Sequence, residues 1–361
     1  MNLILPEKDL WTHLKNTDKK IVMYGMGNGA DKIISVCDRF GIEISDFFAS
    51  DGFVRGHSFH SKTVLSYSAV KEKYGSENII VLLSFASSLP DVMENIRRIA
   101  SECELYAPDV PVCDGDIFDR AFFDANEERI KAVYDLLSDE ESKKIYENVI
   151  LYKLTGKIDY LDKAVSDKDT VYKELLCAKD FTATADLGAY NGDTIRELIP
   201  YSPSLKKVFA FEPDRRSFRK LSEYCSSREG GSTEIVTVNA AAWSEETTLN
   251  FGDEGNRNSG ICAVGKGAKR VEVSANSLDN VLCKEPVDYI KYDVEGAERE
   301  AIIGSQNAIL SHRPKLLVSA YHRSEDIFAL PLQIHELRPD YNLYLRRYPY
   351  IPAWDLNLIC V

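Results

Sequence analysis

Residues 185–193 read Ala-Asp-Leu-Gly-Ala-Tyr-Asn-Gly-Asp. An apolar run precedes them and a helix-like stretch follows, so they read as strand, glycine turn and helix. Gly188 and Gly192 let backbone approach a ligand that a Cβ would hold off. Phe-Glu-Pro-Asp stands at 211–214 and Ile-Lys-Tyr-Asp-Val-Glu-Gly-Ala-Glu at 290–298. Acidic strand ends in this order suit a nucleoside-bearing cofactor that is not a dinucleotide. A pyrophosphate asks for neutral backbone donors with no carboxylate beside them, whereas a sulfonium and an ammonium are drawn to carboxylates. The expected chemistry is methyl transfer from S-adenosylmethionine.

Within that expectation Gly188 faces the cofactor. Asp186 and Asp193 hold its ammonium or reach its carboxylate region through water, and Tyr190 and Thr194 belong to the same candidate set. Taken alone, the turn equally reads as a strand-to-helix connection with Asp as a cap. Glu212 lies 24 residues after Gly188, close to the roughly 20 expected of an acid that accepts ribose hydroxyls, and Pro213 fixes the turn after it. Asn239 and Ala240 follow the next strand and leave room for an adenine ring, although small residues there serve helix packing as well.

Asp293 and Glu295 end a further strand, where open α/β sheets place ligands. Glu298 reads instead as a helix N-terminal acid. Hard oxygen ligands of this kind suit magnesium, but no independent ligand spacing supports a metal and none is expected. Tyr321-His322 ends the strand 315–320. His322 is the first candidate for removing a hydroxyl proton, since neutral imidazole does so near pH 7. Asp293 is the second, and a histidine hydrogen-bonded in a loop is the alternative.

These residues need strands to carry them. Candidate strands lie at 182–187, 207–211, 234–238, 287–292 and 315–320, with two more at 341–347 and 356–361 joined by a turn containing Pro349 and Pro352. Upstream, strands are expected at 20–24, 42–50 and 78–84, and helices near 30–40, 64–74 and 90–101. Alternating buried strands and helices imply a small parallel α/β domain over residues 1–110. Residues 111–178 form a helical bridge, with Ser138 expected to start one helix and Tyr172 a candidate cofactor contact. Residues 179–361 form the cofactor-binding domain.

The chain has 361 residues, 44% of them hydrophobic and 28% charged, as in globular proteins with more than one domain. A net charge of −13 argues against nucleic acid as partner, and Lys269-Arg270 and Arg346-Arg347 are too short to make a basic patch. No run is long and apolar enough to span a bilayer, and the N-terminus makes a poor signal peptide. The eight cysteines are scattered without a C-x-x-C pair, which points to reduced thiols and a cytoplasmic location.

The ordered set 186–194, 211–214, Ser-Leu-Asp 277–279, 290–298, Arg-Pro 313–314 and Tyr-His 321–322 resembles the FkbM family of S-adenosylmethionine-dependent methyltransferases over about residues 170–361. Tyr292 stands where the common family form has Met. The resemblance implies a class I methyltransferase-type doubly wound sheet of seven strands, the last antiparallel. It also implies O-methylation of a sugar, glycan or other small-molecule acceptor, and it leaves a homo-oligomer open. The N-terminal unit resembles small Rossmann-like domains. Its Gly25, Gly27 and Gly29 give an incomplete dinucleotide fingerprint. The alternative reading is therefore a nucleotide-sugar or dinucleotide-binding protein, oxidoreductase or non-catalytic.

Overall fold

The computed structural model describes every residue except 2, 55, 114, 228–231 and 254–268, and no side chains at 53, 251–253, 269 and 270. Cys262 and the Lys269 and Arg270 side chains thus lie outside the described residues. None of the remaining seven cysteines forms a disulfide among the described residues.

A five-stranded parallel sheet forms first, from Lys20–Tyr24 (β1), Asp46–Ala49 (β2), Leu65–Ser66 (β3), Ile79–Leu83 (β4) and Glu104–Tyr106 (β5), in the order β3-β2-β1-β4-β5. All five residues of β4 are buried, as a strand covered by helices on both faces requires. The helix Asn28–Phe40 turns Ala30, Ile33, Val36 and Cys37 inward and stops at Gly41, whose φ of 69° only glycine adopts without strain. Two expectations shift here. The strand expected at 42–50 narrows to β2. The helix expected at 64–74 begins at Tyr67, behind the edge strand β3.

The bridge contains the helices Arg120–Leu136 and Glu140–Thr155. The second is capped by Asp139, which accepts from the Ser142 amide at 2.8 Å, rather than by Ser138. The Ser138 amide donates to the Leu343 carbonyl of the neighbouring sheet. A buried Lys153–Asp109 pair at 2.8 Å joins this helix to the N-terminal unit.

The second sheet comprises Ala183–Leu187 (β6), Lys207–Phe211 (β7), Glu234–Val238 (β8), Tyr289–Tyr292 (β9), Lys315–Ser319 (β10), Leu343–Arg347 (β11) and Leu356–Cys360 (β12), ordered β8-β7-β6-β9-β10-β12-β11. The final strand β12 pairs antiparallel with both neighbours. This is the doubly wound, seven-stranded arrangement that the motifs imply. A small sheet from Ala241–Ala242, Thr247–Asp253 and Lys269–Asn276 is additional. Its strands are short or polar, which hides them from an alternation test. Among the described residues no helix is long and apolar enough to cross a membrane.

The two sheets meet through specific contacts. Ser87, after β4, and Ile351, between β11 and β12, exchange backbone hydrogen bonds of 2.9 and 3.0 Å. Lys32 Nζ donates to the Val112 carbonyl at 2.5 Å. The next residue, Cys113, donates its amide to the His322 carbonyl and its thiol to the Glu295 carbonyl at 3.0 Å.

Candidate active site

The carboxyl ends of β6, β7, β9 and β10 open onto one cleft of about 310 Å³, the position and size expected of a ligand site in such a sheet. Gly188, Tyr190, Asp193, Thr194, Glu212, Pro213, Asp293 and Glu295 line it, as does Tyr172 from the bridge. Ala241 and Ala242 line it where Asn239 and Ala240 were expected.

Gly188 has a structural reason for its identity. Its φ is +89°, and a Cβ there would lie 1.9 Å from the Asp293 carbonyl oxygen. The turns after β6 and β9 therefore touch backbone to backbone, bringing two distant motifs together. Tyr190 and Glu295 hold left-handed φ of 47° and 50° without being glycine, a conformation that concentrates at functional sites.

Glu212 is buried beside the same turn. One carboxylate oxygen accepts from the Tyr190 amide and the other from the Asp214 amide, each at 2.8 Å. Burial nevertheless pushes its pKa up to about 8. Asn239 faces away from the cleft and donates to the Glu212 carbonyl at 2.8 Å. It braces the turn that aims Glu212.

Asp186 lies behind the lining. Lys291 is its register partner on the adjacent strand, with Nζ 3.2 Å from Asp186 Oδ1 and 3.6 Å from Asp293 Oδ2. The Thr194 hydroxyl donates to the other Asp186 oxygen. The carboxylate expected to meet a ligand ammonium is thus already paired with a lysine. Lys291 was missed in the sequence, although it sits two residues before Asp293 and so on the same strand face. Gly192 is also behind the lining, where a Cβ would meet the Tyr224 ring at 2.7 Å.

His322 has no exposed surface and lies beneath the cleft floor. Its Nδ1 is 3.0 Å from Glu298, and its Nε2 is 3.6 Å from both Asp293 and Glu295. Burial lowers its pKa, but Glu298 first and then Glu295 and Asp293 outweigh that and push it up to about 10. Its side chain is fully buried and does not line the cleft, where a proton acceptor was expected. Glu298 does begin a helix, as expected, but also holds this ring and accepts from the Val294 amide.

Asp293 and Glu295 do reach the cleft, with side chains 31% exposed. Burial raises the Asp293 pKa, but the Lys291 and His322 charges and hydrogen bonds from Ser319 and Tyr321 hold it below the usual carboxylate value. Burial pushes Glu295 up to about 7, against the lowering pull of His322. Among the described residues no three His, Cys, Asp or Glu side chains group so as to hold a metal ion.

The cleft lining also includes Lys168, Glu197, Tyr348, Tyr350, Trp354 and Asp355. They come from the bridge, from the helix after the glycine turn and from the tail, with no motif to announce them. The glycines of the N-terminal unit behave otherwise. A Cβ on Gly29 would lie 2.2 Å from the Ser84 carbonyl, and one on Gly25 would meet Phe85 and Ser84 at 2.7 Å. Packing accounts for these two, and of the three fingerprint glycines Gly27 alone has open space around it.

Residues 186–351 match the family model described as methyltransferase FkbM domain. The chain carries an FkbM methyltransferase domain. The protein is a methyltransferase, and the cleft lies within that FkbM domain except where the bridge and tail residues complete it. The fold resembles the crystal structure of methyltransferase FkbM from Methylobacillus flagellatus KT, at a TM-score of 0.74 and 19% identity, covering 99% of this chain and 94% of that one. An rRNA methylase from Streptococcus thermophilus aligns at a TM-score of 0.36 and 13% identity, over 55% of this chain and 98% of that chain. Fibrillarin from Aeropyrum pernix, in complex with S-adenosyl-L-methionine, aligns at 0.33 and 14% identity, over 51% and 68%. No curated protein matches the chain.

Proposed function

We propose that the FkbM domain transfers a methyl group from S-adenosylmethionine to a hydroxyl of a sugar, glycan or other small-molecule acceptor. The observation that carries this reading is the convergence of Glu212, Gly188 and Asp293, from three separate motifs, on one cleft. Glu212 receives the ribose hydroxyls. Ala241 and Ala242 flank the adenine, and the Gly188 turn lets the backbone approach the sulfonium side of the ligand. When bound, the cofactor supplies an electrophilic methyl group. The protein aligns an acceptor oxygen behind that methyl group, an alignment worth roughly 7–11 kcal/mol.

Asp293 or Glu295 then takes the acceptor proton, and Glu295 is the better matched because its pKa lies near 7. His322 acts on both carboxylates from beneath and is a positioning residue. Calorimetry with S-adenosylhomocysteine tests the cofactor assignment. Tight binding is expected, and absence of binding in a folded sample overturns it. A gain of one methyl group in a glycan or lipid extract incubated with enzyme and cofactor then identifies the acceptor.

A further inference from the structure

The turn after β9 is held from outside the FkbM domain. Glu295 and Gly296 follow one another there with left-handed φ of 50° and 89°. Glycine adopts such a φ freely, whereas a glutamate does so only where its surroundings impose it. Cys113, from the bridge, is part of those surroundings. Its thiol donates to the Glu295 carbonyl at 3.0 Å. A Cβ on Gly296 would lie 2.4 Å from the same sulfur, so the thiol fills the space that a side chain at 296 would need. A thiol is a weak donor, and its packing against Gly296 adds to the hold.

Cys113 is itself fixed on both sides. Its amide donates to the His322 carbonyl at 3.1 Å. The preceding residue, Val112, lines the cleft, and its carbonyl accepts from Lys32 Nζ at 2.5 Å. Lys32 belongs to the helix Asn28–Phe40 of the N-terminal unit. A chain of contacts thus runs from that helix, through the strap at 112–113, to the turn that carries Glu295.

We infer that Cys113 and Lys32 are positioning residues for methyl transfer, together holding the Glu295–Gly296 turn in the shape that aims the Glu295 carboxylate into the cleft. The inference rests on the reading of Glu295 as proton acceptor, and it gives the N-terminal unit a part in the reaction. The charges that act on Glu295 are His322, at 3.6 Å, then Asp293 and Glu298 from its own segment, and Lys32. Cys113→Ala leaves each of them in place. Its effect on Glu295 comes from loosening the turn, which lets water reach a carboxyl that burial has pushed up to about 7.

Hydrogen exchange is measured on the full chain as wild type, Cys113→Ala and Lys32→Met. Both variants should speed exchange about tenfold or more in peptides covering residues 293–298. Peptides covering β4 should stay protected, which shows that the variants are folded. Transfer of tritiated methyl from S-adenosylmethionine into the glycan or lipid extract is then followed across the neutral pH range. Cys113→Ala should lower the rate by about tenfold to a hundredfold, the scale of a small misplacement at the reacting centre. It should also move the midpoint of the rise with pH below that of wild type, and leave the affinity for S-adenosylhomocysteine unchanged. Exchange at 293–298 that matches wild type in either variant, a midpoint that stays in place in Cys113→Ala, or an equal loss of S-adenosylhomocysteine binding overturns the positioning role. A wild type whose rate does not rise with pH near 7 overturns the reading of Glu295 instead, and the exchange result still decides whether the strap holds the turn.

Discussion

Lys291 and Asp186 stand opposite one another on adjacent parallel strands, both nearly buried, with 3.2 Å between Nζ and Oδ1. The pair joins the strand before the glycine turn to the strand that ends at Asp293. Breaking such a pair by removing one partner leaves a charge buried and unpaired. Lys291→Met is expected to cost about 3–5 kcal/mol in urea unfolding, and the double variant with Asp186→Asn should recover part of that loss.

Glu295 has the pKa of a proton acceptor that works near neutrality. The rate of methyl transfer should rise with pH around a midpoint near 7. Glu295→Gln should lower kcat by about 10²–10⁴-fold and flatten that rise. A pH profile that Glu295→Gln leaves intact would return the role to Asp293.

The His322 charge pulls the Glu295 pKa down. His322→Gln removes that charge, so the midpoint of the rate profile should move to higher pH. Were His322 itself the acceptor, the rise would vanish rather than move. Following kcat from pH 5 to 9 in wild type and variant separates the two outcomes.

Gly188→Ala places a methyl group into the Asp293 carbonyl at a positive φ. The φ alone costs about 1–3 kcal/mol, and the contact adds to it. The variant should melt at a lower temperature and bind S-adenosylhomocysteine weakly or not at all. Unchanged binding would mean that the two turns do not shape the ligand site together.

The carboxyl groups with raised pKa values set the sign of the pH dependence of stability. Glu212 is pushed up to about 8 and Glu295 to about 7. A group raised on folding contributes stability that is fully present below its unfolded value and is lost as pH rises through its folded value. The unliganded protein should therefore lose stability between about pH 5 and 8, and Glu212→Gln should lessen that loss. Ribose hydroxyls favour the ionised form of Glu212, so ligand binding near pH 7 should release protons. Calorimetry in buffers of different ionisation heat reads that release.

Much of the sheet was legible because its strands are apolar runs ending in glycine or acid. Glycine turn, Glu212 and Asp293 each follow such a run, and sheet topology sends all such ends to the same edge. What lies beneath the edge was not legible. His322 and Asp293 both follow strand ends, yet one is sealed under the floor and the other reaches the cleft, because packing rather than strand position decides which way a loop residue turns. Lys168, Tyr348 and Asp355 were invisible for another reason. They come from segments that carry no motif, and only the fold brings them to the cleft. Asp139 rather than Ser138 caps its helix, and the Ser138 amide pairs with the tail strand.

The Val112–Cys113 segment is held by Lys32 on one side and by His322 and Glu295 on the other. Severing the gene at residue 179 would thus remove a ceiling as well as a neighbour. The isolated C-terminal half would keep its motifs while losing the contacts of Cys113 to the His322 and Glu295 backbones, and a Glu295 carboxylate tuned by seclusion would revert towards an ordinary acid.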